Sequence, residues 1–135
     1  MAYLSACCGS NFREGYIMTI KECYDRMNGS YEEAKSRLMM DSMIERFVFK
    51  FLDDSTMENL RKAIAQGDIA VSFREAHTLK GVAANLAFTE LQKAASDLTE
   101  QLRPLQSPAD AELMAGVEKA YGIVVDAIRT YQAEK

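Results

Sequence analysis

Helix starts recur along this chain, and almost nothing interrupts the helices they open. A serine or threonine with a glutamate or glutamine three residues later marks a capping box, in which each side chain satisfies a backbone N–H that the first helical turn leaves free. Thr19–Glu22, Ser30–Glu33, Ser42–Glu45, Ser55–Glu58 and Thr89–Gln92 all have this spacing. The later pairs open stretches whose apolar residues recur every three or four positions: Ile44, Phe47, Val48 and Phe51; then Met57, Leu60 and Ile64; then Leu91, Ala94, Ala95, Leu98 and Leu102. Only two prolines occur in 135 residues, so few positions can break a helix. No segment sustains the two-residue alternation of a half-buried strand. The pattern predicts an all-α fold.

The stops are equally local. Asn28-Gly29 ends the first helix, the second runs to about Met39, and Gly67 closes the one that Ser55 opens. Asp68 caps a long helix running to about Ala87, and Pro104 ends the next. Ser107-Pro108 restarts the chain, with proline at the first helical position, and Leu113, Val117, Ala120, Val124, Ile128 and Tyr131 form the last stripe. Short connections favour antiparallel neighbours. The expected architecture is therefore an antiparallel up-down four-helix bundle from about Ser55 onward, with additional short N-terminal helices covering one end. Residues 1–17 carry no helical stripe and are punctuated by Gly9, Ser10, Asn11 and Gly15. Arg13-Glu14-Gly15 is also what a purine-rich ribosome-binding site encodes when translated, just before Met18. The expectation is a disordered or artefactual extension over 1–17 and a bundle domain over 18–135.

The length suits one domain with one core. The net charge of −4 disfavours non-specific nucleic-acid binding, which needs basic surface. No apolar run reaches the roughly 18 residues of a membrane span, and the N-terminus lacks the basic and apolar regions of a signal peptide. Cys7, Cys8 and Cys23 have no second Cys/His pair with which to build a zinc site, so they read as incidental thiols of a cytoplasmic protein. The eight methionines, with Met39, Met40 and Met43 clustered, read as soft core filler.

One residue stands apart. His77, the only histidine, lies in the helix that Asp68 opens. At 100° per residue, Ile69, Ser72, Ala76, Leu79, Ala83 and Leu86 form the stripe that faces a core, and His77 falls roughly 130° from its centre. Its neighbours on the outer face are Phe73, Lys80, Gly81 and Ala84. Glycine inside a helix costs about 0.5–1 kcal/mol relative to alanine, so Gly81 needs a reason, and clearance for something large approaching His77 is the simplest. An exposed imidazole is partly neutral at pH 7, with a ring nitrogen able to act as a nucleophile. Metal binding would need a second ligand at helical spacing, but Phe73 and Gly81 occupy the positions one turn either side. No metal site is expected. General acid–base catalysis would need an orienting carboxylate or a substrate cleft. The outer face offers no acid, and a small bundle with a filled core offers no obvious pocket. These residues suit a nucleophile whose catalytic partner arrives on another protein. Phe73 reads equally as a docking anchor and as a core-edge aromatic.

The string His77, Leu79, Lys80, Gly81, Ala83, Asn85 and Leu86 resembles the histidine-containing phosphotransfer (HPt) domain of bacterial phosphorelays. Looser similarity extends through Phe47–Leu52, Gln66-Gly67-Asp68 and Leu91–Leu98. The resemblance implies a phosphorelay intermediate rather than a self-sufficient enzyme. His77 would accept a phosphoryl group from a receiver-domain aspartate and pass it on. Lys80 would help neutralise the phosphoryl oxygens, and Gly81 would leave room for the receiver. The chain would need no cofactor of its own, because Mg²⁺ and the acidic pocket belong to the partner receiver. The implied partners are a response-regulator receiver and a hybrid histidine kinase, with no nucleic acid and no membrane, and the chain is expected to be a monomer. The alternative is a docking module that binds a receiver or kinase through this face without carrying phosphate. One departure stands out: many members have glycine after the Asn-Leu pair, and this chain has Ala87, so a looser or shifted helix end is expected there.

Overall fold

A computed structural model describes residues 18–134; the expectation for residues 1–17 lies outside them. The described residues form seven helices: α1 (Ile20–Arg26), α2 (Tyr31–Leu38), α3 (Asp41–Phe51), α4 (Thr56–Ala65), α5 (Ile69–Asn85), α6 (Thr89–Leu102) and α7 (Ala111–Ala133). No strand occurs among them.

Some helix starts obey the capping chemistry and others do not. At α1 both halves of the box form: Glu22 N–H donates to Thr19 Oγ1 at 3.1 Å, and Thr19 N–H donates to Glu22 Oε1 at 2.9 Å. At α2 only the serine half forms, and the Glu33 carboxylate accepts from Arg37 at 2.6 Å instead. Asp68 caps α5 by accepting from Val71 N–H at 3.1 Å. Ser42 does not open α3. That helix starts at Asp41 after Met40 without a side-chain cap, and Glu45 accepts from the Tyr131 hydroxyl at 2.8 Å. Before α4 the capping role passes from Ser55 to Asp54, which accepts from Thr56 N–H at 2.8 Å. Thr89 is the first residue of α6 rather than its cap; Phe88 holds the cap position and is wholly buried. Pro108 does not start α7. Asp110 does, accepting from Glu112 and Leu113 N–H at 2.9 and 3.0 Å. Gln101 holds the loop between, bonded to Pro108 O and Asp110 N–H. At α4 and α7 a nearby aspartate takes the capping role, whereas α3 and α6 start with no side-chain cap.

Helices α4, α5, α6 and α7 pack in sequence, each on the next, while α1 and α3 pack on α7. The buried stripe of α5 is Ser72, Ala76, Leu79 and Ala83, with Leu86 just past its end. These mostly small side chains let neighbouring backbones approach closely. The buried Ser72 hydroxyl is satisfied by donating to Asp68 O at 2.7 Å. At 23 residues, α7 is about 34 Å long. Its C-terminal half carries the N-terminal helices: Cys23 Sγ donates to Ala127 O, Phe49 packs on Tyr131, and Tyr131 bonds Glu45. An aromatic cluster joins these helices to the α5–α6 turn. Phe88 lies 5.8 Å from Tyr24 and 5.1 Å from Phe51 between ring centroids, and the Tyr24 hydroxyl donates to Leu86 O at 2.7 Å.

Two further expectations need correction. Met39 and Met40 are 73% and 58% exposed, so that part of the methionine cluster is not core filler. They sit at the α2–α3 turn, where Met39 ends α2 with a positive φ of 72°. The end of α5 is neither loose nor shifted. Ala87 adopts the left-handed conformation itself (φ 60°), and Phe88 N–H returns to Ala83 O at 2.9 Å, the closure usually built on glycine. Burial of Phe88 and the bond from Ser30 N–H to Ala87 O hold the alanine there despite its Cβ.

Candidate functional site

The site is built on the exposed face of α5. Asp68 fixes where that helix begins and the buried stripe fixes its rotation, so His77 is held exposed to solvent. One turn earlier, Phe73 stacks on the imidazole with ring centroids 6.1 Å apart and planes 21° from parallel. Phe73 is half-buried and packs against the core, as a core-edge aromatic does, while its ring also meets the imidazole. One turn later lies Gly81, exposed, where a Cβ would meet nothing within 4 Å. No packing inside the described chain requires glycine there. Ala84 comes next on this face, half-buried, and its carbonyl accepts from Arg37 Nη1, so α2 reaches the C-terminal end of the site.

Helix α6 supplies a flank that spacing along α5 does not anticipate. The Arg103 guanidinium carbon lies 5.4 Å from the Phe73 ring centroid. The same guanidinium is held by Glu100, with Nη2 donating to Oε2 at 2.7 Å and Nε to Oε1 at 3.1 Å. Glu100 is held below the usual carboxylate range, first by the hydrogen bond from Arg103 and further by the positive charges of Arg103, Lys80 and His77. The expectation that the histidine face has no acid near it is therefore corrected. Glu100 comes within electrostatic reach of His77 and Lys80 from another helix. The only local sign was a charged pair, Glu100 and Arg103, in the last turn before Pro104.

The five residues picked from sequence, Phe73, His77, Lys80, Gly81 and Ala84, do lie along one side of α5. The expectation of no pocket is corrected too. A cleft of about 450 Å³, with an apolar floor of Leu38, Phe47, Phe51, Val82 and Leu86, opens between α2, α3 and the end of α5. His77 is not among its lining residues, so it does not supply a substrate cleft for the imidazole. Among the described residues no group of three or more His, Cys, Asp or Glu side chains could hold a metal ion. Cys23 is buried and its thiol is pushed up to about 12 by desolvation, which leaves it unreactive. No helix among the described residues is long and apolar enough to cross a membrane.

The family model for the Hpt domain matches residues 46–131, from within α3 almost to the end of α7. Comparisons with curated proteins and with solved structures gave no match. Hpt domains are phosphotransfer modules rather than classical enzymes, and they interact with receiver domains and kinases in phosphorelays. The match covers more than half of the 135 residues, and this chain belongs to the Hpt domain family.

Proposed function

We propose that His77 is the phosphoryl acceptor of this domain, and that the chain is a relay intermediate between receiver-domain aspartates. A ring nitrogen attacks the phosphorus of an aspartyl phosphate in the docked receiver. The N–P bond forms as the O–P bond breaks, and the electron pair leaves on the aspartate carboxylate. The receiver's Mg²⁺ and acidic pocket stabilise the transferring group, so this chain supplies position and a nucleophile. Lys80 adds positive charge beside the developing phosphohistidine, and Ala84 keeps the surface low beyond Gly81. In this reading α4–α7 form the antiparallel up-down bundle, and the protein works as a cytoplasmic monomer whose phosphate comes ultimately from a histidine kinase.

The observation that carries the reading is the open space at Gly81. Gly116 and Gly122 of α7 are equally open, but only Gly81 lies one turn from an exposed histidine, where glycine leaves room beside the imidazole. The test is to mix the protein with a phosphorylated receiver and Mg²⁺, then look for label that is acid-labile and base-stable. Wild type should take up label and His77→Gln should not. The variant should fold with a stability change within about 0.5 kcal/mol, because the side chain is exposed. Receiver binding without label would favour a docking role instead.

A further inference from the structure

The contacts around His77 form a chain of planar groups running from α5 to α6. The imidazole stacks on Phe73 at 21°, Phe73 carries the Arg103 guanidinium on its ring at 5.4 Å, and Glu100 grips that guanidinium through three contacts of 2.7 to 3.3 Å. Taking His77 as the acceptor, we propose that Phe73 is its positioning residue, with Arg103 and Glu100 as the brace that fixes Phe73.

The physical case rests on what an exposed nucleophile lacks. An unrestrained surface histidine exchanges among staggered rotamers, and each wrong rotamer turns its lone pair away from the phosphorus. That lone pair lies in the plane of the ring. A contact on the ring's face therefore restricts the plane without covering the atom that reacts, and stacking on Phe73 is such a contact. Phe73 can serve as a platform only if it is itself held. Its half-buried side packs against the core, and the guanidinium covers part of its ring, a favourable arrangement for arginine. Arginine has many rotamers of its own, and the Glu100 fork narrows them. The orientation of a residue on α5 is thus tied to α6 through side chains alone. The same contacts leave less of the Phe73 ring free to serve as a docking anchor.

The chain's single histidine makes the test clean, because its ring protons give one assignable set of proton resonances. In wild type those protons should be shifted upfield by the Phe73 ring current, and Phe73→Leu should abolish the shift. Single-turnover transfer from a phosphorylated receiver would then be measured across receiver concentrations. We expect the maximum rate to fall about tenfold in Phe73→Leu and severalfold in Arg103→Gln, as for loss of one stacking contact, with the half-saturating receiver concentration unchanged. Phe73→Tyr should restore both the shift and the rate. A raised half-saturating concentration with an unchanged maximum rate would make Phe73 a docking contact and overturn the proposal, as would wild-type kinetics in both variants. If wild type takes no label from any receiver, the acceptor reading falls and this proposal with it; a labelled wild type with unaffected variants overturns this proposal alone.

Discussion

His77 and Gly81 make the residue-scale case together. The histidine is exposed because the buried stripe of α5 lies on the other side of the helix. The glycine matters for what is absent around it. Gly81→Leu should leave the fold intact and raise stability by about 0.5–1 kcal/mol, since a helical glycine is replaced at an exposed position where a Cβ meets nothing within 4 Å. The same substitution should block phosphoryl uptake from a receiver, because it fills the space beside the imidazole. Thermal denaturation and transfer measured on one preparation check both halves; undiminished transfer would remove the clearance argument. Gly29 is the opposite case. A Cβ there would stand 2.8 Å from Ala87 O and 3.0 Å from Tyr24 Cδ2. The carbonyl is backbone and already accepts from Ser30 N–H, so it cannot give way. Gly29→Ala should therefore destabilise by about 1–3 kcal/mol, read as a lower denaturant midpoint with an unchanged slope.

At the scale of elements, two joints place the functional helix. One is the end of α5, where Ala87 takes a conformation that glycine adopts more easily, and does so because Phe88 must turn into the aromatic cluster. The other is the tie between α4 and α7. Arg61 donates to both oxygens of Glu118, at 2.8 and 2.7 Å, and its guanidinium also lies over the Tyr121 ring. Arg61 holds the Glu118 carboxyl below its ordinary range. A depressed folded-state value means that the pair stabilises the fold above the unfolded carboxyl's value, about 4.3, and is lost as pH falls through the folded value. Both side chains are about two-fifths exposed, so solvent screening keeps the effect small. Glu118→Gln should lower the thermal midpoint slightly at pH 7, and the difference should close as pH falls through the depressed folded-state value of Glu118. A difference that persisted in acid would mean that the contact is one of shape rather than charge.

Across the whole molecule, the N-terminal helices act as a brace on the far half of α7. Among the described residues their packed surface includes Met18, which is buried and whose N–H donates to Glu134 Oε1 at 2.8 Å. A chain lacking residues 1–17 keeps this donor, now as a charged terminus, and keeps the complete capping box at Thr19. Its thermal midpoint and phosphoryl uptake should match those of the full chain. A clear drop in the midpoint would show that Tyr3, Leu4 or Phe12 contributes to the packed protein. Receiver docking should be unaffected by the deletion, because Met18 and Glu134 lie at the ends of α1 and α7 while the histidine face belongs to α5.

What the sequence determined by itself was local. Helical type comes from periodicity and caps, and the outward face of α5 comes from rotation alone, so spacing was enough to name His77, Lys80, Gly81, Phe73 and Ala84 together. Boundaries were legible where a side chain reaches only its own first turn, as at Thr19, Ser30 and Asp68. They were not legible where a distant partner competes, as Tyr131 does for Glu45, or where burial decides, as for Phe88. Only the tertiary structure brought Glu100 and Arg103 beside Phe73 and His77, set Arg37 against Ala84, and left Met39 and Met40 in solvent. The physical reason is range. Capping and periodicity act within one or two turns, whereas stacking, ion pairing and burial depend on which helices meet, and spacing along one helix does not carry that information.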